Sequence, residues 1–338
     1  MLNLDSRYYI DPAVYERERT QLFPKTWQLL GPASELTQRG AYSAIEIAGH
    51  KVFAIRGKDG NLRAFRNLCR HRGARLLAEG SGRCPTIRCP YHQWVWADDG
   101  RLMNVPWFGE DPDFRLEDWR LEEIHLAEWR GLAFVAIDPA ASLETQLGDV
   151  IGELRDEPIE NYQAVQVERM TFDANWKIYT DNFVEGYHIP GIHPNFFAAS
   201  DFEQFKTTAH DGMVRMTAPP REGLFYRGKW LWMWPNWTLS LFDGGMNTSR
   251  INPLDENRTE LIYHFYFADT SEAMAAARAD TIARNLAVVR EDFEICLETH
   301  RNYASGDYSP GPLSPRHEKG VVYFQNMVSN VIGPLAAP

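Results

Sequence analysis

The sequence predicts an α+β protein in which a small antiparallel β domain precedes an α+β domain with a central antiparallel sheet and flanking helices. Two observations lead to this fold class. Alternating apolar and polar segments joined by glycine-containing turns fill the first part of the chain, and strand patterns alternate with helix patterns in the second. The predicted parts are an N-terminal helical segment at 1–38, a β domain at 39–138 and an α+β domain at 139–338.

The N-terminal segment is expected to pack on the α+β domain. It contains a short helix, because Asp11 can cap it and Pro12 suits its first turn. In the β domain, "YSAIEIAGHKVFAIRGKDGNLRAF" alternates apolar and polar residues around the hairpin turn "KDGN". "VWADDGRLM" repeats this arrangement around Asp99 and Gly100, and "WRGLAFVAID" supplies a further strand. These segments predict a compact antiparallel β domain.

The composition limits the function classes. Of the 338 residues, 44% are hydrophobic and 24% are charged, which is usual for a soluble globular protein. The 35 Lys and Arg against 46 Asp and Glu give a net charge of −11, which argues against a general nucleic-acid binder. No apolar run reaches the roughly 18 residues of a membrane span, and the N-terminus lacks the pattern of a signal peptide, so we expect a cytoplasmic protein. Four cysteines are too few for a disulfide framework.

Two of the four cysteines stand beside histidines in short, turn-rich stretches. "CRHRG" pairs Cys69 with His71, "CPYHQW" pairs Cys89 with His92, and 17 residues separate the pairs. Tetrahedral zinc, blue copper and a Rieske [2Fe–2S] cluster all use thiolates and imidazoles. Zinc fingers usually pair like with like, and blue copper takes one cysteine. Mixed pairs on two opposed loops favour the Rieske cluster, since each loop can then supply one ligand to each iron.

The stretch "DNFVEGYHIPGIHP" predicts a second metal site. On a helix, Asp181, Glu185 and His188 would share one face. Pro190 and the glycine after it would break that helix, and the turn could bring His193 back towards it. Two imidazoles beside carboxylates can bind a divalent metal in a two-His-one-carboxylate arrangement. A His-x4-His pair alone is a weak signal, and the ordinary interpretation of Asp181 is a helix N-cap.

The third ligand is expected from the long late helix that contains "VVREDFEICLETH". Asp292 borders the apolar stripe of this helix, and a carboxylate turned towards the interior needs a partner such as a metal cation. The alternative is an aspartate bonded to a neighbouring backbone group or arginine. Glu291, Glu294 and Glu298 fall on the opposite side, where we expect a solvated face, and His300 is expected to be a packed or capping histidine. The stripe consists of Ile282, Leu286, Val289, Phe293, Cys296 and Leu297.

The two loops and the later motif together resemble the Rieske non-haem iron oxygenase α subunits. The resemblance covers almost the whole chain, and a glutamate at position 185 is shared with the choline, glycine betaine and carnitine monooxygenases. Ala74 and Tyr91 stand where respiratory-chain Rieske proteins have extra cysteines, and Cys84 is interpreted as a free thiol. The resemblance implies a [2Fe–2S] cluster held by Cys69, His71, Cys89 and His92. It implies a mononuclear Fe(II) held by His188, His193 and Asp292.

The resemblance also implies an assembly and a reaction. Glu185 lies where the family has a carboxylate that links a Rieske histidine of one subunit to an iron-bound histidine of its neighbour, and Asp181 is the alternative for that bridge. A head-to-tail homotrimer follows. The implied reaction is O2-dependent hydroxylation or oxidative demethylation of a small organic substrate, with NAD(P)H electrons arriving through a reductase. Aromatic-ring dihydroxylation is one alternative, and a Rieske electron-transfer protein with an inactive catalytic domain is another.

The electron donor is expected to be a separate protein, because the chain has no GxGxxG motif for nicotinamide or flavin. Basic residues crowd the two cysteine–histidine loops, where they could dock an acidic ferredoxin or reductase domain or pair with nearby acids. They are Arg70, Arg72, Arg75, Arg83 and Arg88.

The substrate is indicated only by an aromatic segment, "GKWLWMWPNWTLSLF". Trp230, Trp232 and Trp234 share one face of the predicted strand, and Trp237 falls on the other unless Pro235 shifts the register. These rings could cage a quaternary ammonium, hold a flat aromatic substrate or fill a core.

Overall fold

A computed structural model describes residues 1–221 and 226–335 of the chain. Residues 222–225 and 336–338 of the predicted α+β domain lie outside the described residues. Helices and antiparallel sheets occur together within the described part, as predicted. None of its helices is both long enough and apolar enough to span a bilayer.

The chain divides into two compact units, one of Pro24–Leu143 and one of Met1–Phe23 with Glu144–Pro338. The predicted N-terminal segment 1–38 is therefore split between them. Its first residues form helices of the larger unit, whereas its later residues belong to the β unit, because strand Gln28–Pro32 pairs with strand Leu132–Ala136. Pairing between strands so far apart in the chain leaves no local signal in the sequence.

The β unit contains two antiparallel sheets. Its strands are β1 (Gln28–Pro32), β2 (Ala41–Ile47), β3 (His50–Arg56), β4 (Leu62–Arg66), β5 (Gly80–Arg83), β6 (Ile87–Arg88), β7 (Val95–Trp96), β8 (Leu102–Asn104), β9 (Glu123–Trp129) and β10 (Leu132–Ala136). Seven strands pair in the order β1-β10-β9-β4-β3-β2-β5, and three pair in the order β6-β7-β8. The predicted turns are present, since "KDGN" joins β3 to β4 and the Asp99–Gly100 turn joins β7 to β8. Phe53, Phe65 and Trp96 are buried in the core of this unit.

The larger unit contains the predicted central antiparallel sheet. Its strands are β11 (Gln163–Phe172), β12 (Lys206–His210), β13 (Met213–Thr217), β14 (Tyr226–Met233), β15 (Trp237–Phe242), β16 (Gly245–Asp255) and β17 (Arg258–Phe267). They pair in the order β11-β17-β16-β15-β14-β13-β12.

The α-helices are α1 (Arg7–Ile10), α2 (Pro12–Arg17), α3 (Leu143–Leu147), α4 (Val150–Glu153), α5 (Trp176–Phe183), α6 (Ile189–Ile192), α7 (Pro194–Ala199), α8 (Ala275–Ser305) and α9 (Lys319–Ile332). Asp11 caps α2 as predicted, since its carboxylate accepts a hydrogen bond from the Ala13 N–H. The N-terminal helices pack on the larger unit, where the rings of Tyr9 and Tyr303 are 5.1 Å apart.

The predicted helix through Asp181, Glu185 and His188 is wrong, because α5 ends at Phe183. Glu185 lies in an irregular link and His188 immediately precedes α6. The three residues therefore do not share one helical face. A pattern of spacings predicted a continuous helix where the chain in fact turns.

Close contacts explain the path of the chain between α5 and α6. A Cβ on Gly186 would lie 2.4 Å from the ring of Phe205, so only glycine allows the chain to pass there. The Tyr187 N–H donates to the Glu185 carboxylate and closes a turn. The prediction that Pro190 breaks a helix is wrong, because this proline lies in the first turn of α6, where proline is favoured.

Helix α8 places its apolar stripe against the rest of the larger unit. Asp292 is only 7% exposed and lies within this stripe, between buried Val289 and Cys296. His300 is buried further along and bonds Asn257 at 3.1 Å, as expected for a packed histidine. A carboxylate is thus held inside the larger unit by the burial of its apolar neighbours.

Candidate metal centres

The first cysteine–histidine loop is a tight turn held by its own backbone. The Cys69 N–H donates to the Ala74 carbonyl at 2.8 Å, and the Gly73 N–H donates to the Cys69 carbonyl at 2.9 Å. Gly73 has a φ of 72°, a left-handed conformation that glycine adopts without steric cost. His71 lies within this turn.

The second loop repeats the arrangement. The Cys89 N–H donates to the Trp94 carbonyl at 2.9 Å, and the Gln93 N–H donates to the Cys89 carbonyl at 3.2 Å. Gln93 takes the left-handed position, with a φ of 61°. The two loops are structurally equivalent, although their histidines stand at different spacings from their cysteines.

The thiols of these loops lie inside and the imidazoles lie further out. Cys69 and Cys89 are 4% and 0% exposed, whereas His71 is exposed and His92 is half-buried. The centroids of the two imidazoles are 4.6 Å apart. Both cysteines are free of disulfides. Two buried thiols and two adjacent imidazoles on equivalent loops fit the donor set of a Rieske cluster.

Some neighbours of these loops have local partners. Arg70 forms an ion pair with Glu122 at 2.5 Å, so for this arginine the predicted alternative of pairing with an acid is present. The guanidinium of Arg72 lies 5.2 Å from the centroid of the Tyr91 ring. The Cys84 thiol donates to a backbone carbonyl at 3.1 Å and is free, as predicted.

His188, His193 and Asp292 come together in the larger unit. The histidines flank the short helix α6, and Asp292 lies on α8. One ligand atom of each residue lies within 4.8 Å of the other two. Asp292 Oδ1 is 2.9 Å from Nε2 of His193 and 3.7 Å from Nε2 of His188, and no donor among the described residues reaches this buried oxygen in hydrogen-bonding geometry. Two imidazoles and a carboxylate with free lone pairs fit a divalent metal.

A glutamate holds the other nitrogen of each imidazole. Glu185 Oε1 is 2.5 Å from His188 Nδ1, and Glu291 Oε2 is 2.6 Å from His193 Nδ1. The prediction that Glu291 only faces solvent is therefore wrong, whereas Glu294 is exposed as predicted. The available signal was its place directly before Asp292, where a side chain can still reach the rim of the same site.

The charges of this centre act on His193. Burial lowers the pKa of His193, but the close contacts of its ring with the carboxylates of Asp292 and Glu291 outweigh burial and raise this pKa above its usual value. The centre thus concentrates negative charge around two imidazoles, which a divalent cation offsets.

Asp181 lies apart from the triad. Its carboxylate accepts hydrogen bonds from the Tyr9 hydroxyl at 2.6 Å and from the Gln325 amide at 3.1 Å. Burial raises the pKa of Asp181 to about 7, against the lowering effects of these hydrogen bonds and of the charge of Lys177. Asp181 is not a helix N-cap, since Asn175 caps α5. Asp181 and Glu185 nevertheless line one cavity of about 180 Å³.

A pocket of about 80 Å³ lies beside the triad. Side chains from α5, α7, α8 and the central sheet line it, together with the link that carries Glu185 and His188. Aromatic rings come from Tyr179, Phe183, Phe196, Phe205, Tyr226, Trp230 and Tyr263. Among the described residues that line the pocket, none is a lysine or an arginine.

The predicted tryptophan wall is only partly a pocket wall. Trp230 lines the pocket. Trp232 and Trp234 instead pack on Phe324 of α9, with ring centroids 5.3 and 6.5 Å away. For these two residues, core packing was the right alternative.

Family models match both parts of the chain. The model of the Rieske [2Fe-2S] domain matches residues 26–119. The model of the ring hydroxylating alpha subunit catalytic domain matches residues 159–224 and 212–333, which together are more than half of the chain.

Individual proteins are similar over nearly the whole chain. The carnitine monooxygenase oxygenase subunit of Escherichia coli (strain K12) is 29% identical over 97% of this chain and 93% of its own length. The chloroplastic choline monooxygenase of Amaranthus tricolor is 25% identical over 94% and 75%, respectively. A quaternary ammonium Rieske monooxygenase solved in complex with L-carnitine has a TM-score of 0.87 at 27% identity and covers 98% of this chain and 95% of that one.

Proposed function

Because the chain belongs to the family of ring hydroxylating alpha subunits with a Rieske [2Fe-2S] domain, and is thus the oxygenase component of a Rieske oxygenase, we propose that it hydroxylates small quaternary ammonium compounds. The observation that carries this proposal is the pocket beside the triad. It offers aromatic faces and, among its described lining residues, no cationic side chain. Aromatic faces attract a quaternary ammonium through cation–π interactions. Relatives named for carnitine and choline support the same substrate class.

We assign the cofactor ligands to the residues that the structure brings together. Cys69, His71, Cys89 and His92 would hold a [2Fe–2S] cluster. His188, His193 and Asp292 would hold a mononuclear Fe(II). When bound, these groups supply one-electron transfer and the activation of O2. The electrons come from NAD(P)H through a separate reductase or ferredoxin, which docks on the basic residues near the cluster loops.

The chain's own residues position the reaction. Glu185 and Glu291 hold Nδ1 of the two histidines, so both imidazoles turn Nε2 towards Asp292. The aromatic rings hold the ammonium head and exclude water. Two electrons and two protons reduce one oxygen atom of O2 to water, while the other atom enters a substrate C–H bond. Where the hydroxylated carbon is attached to nitrogen, the product releases an aldehyde, which is a demethylation.

The proposed assembly is a head-to-tail homotrimer. Glu185 then connects His188 to a Rieske histidine of the neighbouring chain. The inter-subunit electron transfer described for a similar quaternary ammonium Rieske monooxygenase supports this arrangement. Asp181 is the weaker candidate for the bridge, because Tyr9 and Gln325 occupy its carboxylate.

Two other functions are an electron-transfer protein with an inactive catalytic domain and an aromatic-ring dihydroxylating enzyme. The complete triad favours an active oxygenase over an electron-transfer protein with an inactive catalytic domain. The aromatic pocket also suits a flat ring, which is the requirement for dihydroxylation.

O2 uptake with a reconstituted reductase tests the proposal. Choline, betaines, N-methyl amines and aromatic acids are compared, and the products are identified by mass spectrometry. We expect O2 uptake and a monohydroxylated or demethylated product with a quaternary ammonium compound, and none with His193→Ala. Formation of a cis-diol from an aromatic acid, with no turnover of any ammonium compound, would overturn the proposal.

A further inference from the structure

One amide oxygen that lines the pocket has no hydrogen-bond partner among the described residues. Asn285 is 1% exposed and lines the pocket from α8. Its Nδ2 donates a hydrogen bond to the Tyr226 hydroxyl. Its Oδ1 is buried, and no donor among the described residues reaches it. Buried carbonyl oxygens are normally hydrogen-bonded, so this one is available to a ligand.

In the structure, Nδ2 of the Asn285 amide faces the Tyr226 hydroxyl. Because Tyr226 engages Nδ2, the carbonyl end of Asn285 is the end left over. The group presented by Asn285 is therefore an acceptor. A ligand that meets it favourably must donate a hydrogen bond from a hydroxyl or an N–H.

Asn285 lies on the same side of α8 as the candidate iron ligand. It precedes Asp292 by seven residues of a continuous helix, which is almost two full turns and about 10 Å along the axis. Both residues line the same pocket. A substrate in this pocket thus meets the metal centre towards one end and the Asn285 carbonyl towards the other.

The pocket also contains the polar residues Asn182 and Ser240 and further hydroxyl and carboxylate groups. The hydroxyls of Tyr179 and Tyr263 bond each other at 3.2 Å. The charged groups other than histidine are Glu185 and Asp292, and both are acidic. Among the described lining residues, a carboxylate on the substrate would meet no lysine or arginine side chain.

We propose that Asn285 is a specificity-determining residue whose Oδ1 accepts a hydrogen bond from the substrate. The preferred substrates are then small ammonium compounds that carry a hydroxyl or N–H group and no carboxylate, in other words cationic amino alcohols. This inference rests on the proposed function and narrows its substrate class. A ligand that donates to Oδ1 restores the hydrogen bond that this oxygen lost when it was buried, whereas a ligand without a donor leaves it unsatisfied.

Binding can be measured without turnover. Calorimetry on the full-length, iron-loaded protein without reductase compares choline, its O-methyl ether and glycine betaine, which share one trimethylammonium head. We expect choline to bind roughly tenfold more tightly than the ether, because one buried hydrogen bond distinguishes them. Glycine betaine should bind most weakly. This comparison uses the unaltered protein, so it holds even if a variant fails to fold.

A pair of variants then assigns the effect to one residue. Asn285→Leu should abolish the preference for choline over its ether. Asn302→Leu, at an exposed position of the same helix, should keep the preference. Equal binding of choline and its ether, tightest binding of glycine betaine, or a preserved preference in Asn285→Leu would each overturn the inference and leave the proposed function standing. Binding of none of the three would overturn the proposed function itself.

Discussion

At the scale of single residues, two glutamates decide how the histidines of the candidate iron site are presented. Glu185 and Glu291 each engage an Nδ1, so Nε2 is left as the nitrogen that faces a metal. Glu291 directly precedes Asp292, so one turn of α8 supplies both a candidate ligand and the group that orients another. A change at Glu291 therefore tests the centre without removing a ligand.

Glu291→Ala should weaken Fe(II) binding at the mononuclear site by roughly 10- to 100-fold, because His193 loses the acceptor that fixes its ring and its tautomer. Iron content after dialysis against graded concentrations of a chelator measures this affinity. The Rieske absorption spectrum should be unchanged.

Glu294→Ala is the matched control, since Glu294 is exposed on the same helix. It should bind iron as the unaltered protein does, whereas Asp292→Ala should lose mononuclear iron outright. Equal iron retention by Glu291→Ala and Glu294→Ala would show that the bond to His193 has no orienting role.

At the scale of elements, a close contact with α9 fixes the end of α5. A Cβ on Gly320 would lie 2.0 Å from the Val184 carbonyl oxygen and 2.9 Å from Val214 Cγ1. Glycine thus lets α9 approach the residue directly before Glu185. The packing of α9 thereby determines where the link between α5 and α6 runs.

Gly320→Ala should destabilise the larger unit by about 1–3 kcal/mol, because α9 must move away from a backbone that cannot yield. Thermal unfolding followed by circular dichroism should show a lower midpoint, and mononuclear iron should be retained less well. The Rieske spectrum should be kept.

The control for this change is Gly152→Ala in α4, where a Cβ would meet nothing within 4 Å. It should leave the iron content unchanged and should not lower the midpoint, because alanine is the better helix former. If Gly320→Ala behaved in the same way, the packing of α9 would not control the position of Glu185.

At the scale of the whole molecule, the two candidate centres belong to different compact units. The cluster loops lie in Pro24–Leu143, and the triad lies in the unit that contains Glu144–Pro338. Each centre should therefore survive the loss of the other. In the proposed trimer, moreover, the cluster and the iron that work together come from different chains.

Mixed oligomers of His71→Ala and His193→Ala chains should regain part of the activity, although each variant alone is inactive. Some interfaces then pair an intact cluster from one chain with an intact iron site from its neighbour. Co-expression with two affinity tags isolates the mixed oligomers, and O2 consumption with the reductase measures their activity.

Sedimentation and metal analysis supply the controls for this experiment. They must show that the mixed oligomers are trimers and carry both kinds of iron. Complete inactivity of such trimers would place the electron path inside one chain and remove the bridging role of Glu185.

The sequence by itself determined the features that depend on nearby residues. The hairpin turns, the Asp11 cap and the place of Asp292 beside an apolar stripe all express interactions within a few residues. The two mixed cysteine–histidine pairs are likewise formed by residues close together in the sequence. These signals predicted the fold class and, through the motifs they form, the family.

Only the tertiary structure decided the features that depend on distant segments. Gly186 follows the C-terminal end of α5 and packs closely against Phe205. The pairing of β1 with β10 draws the chain from Pro24 onward into the β unit. Glu291 meets His193 although 98 positions separate them. Periodicity and turn preference are local properties of the chain, whereas burial and pairing with remote partners select among the conformations that local preference allows, and only the complete fold supplies those partners.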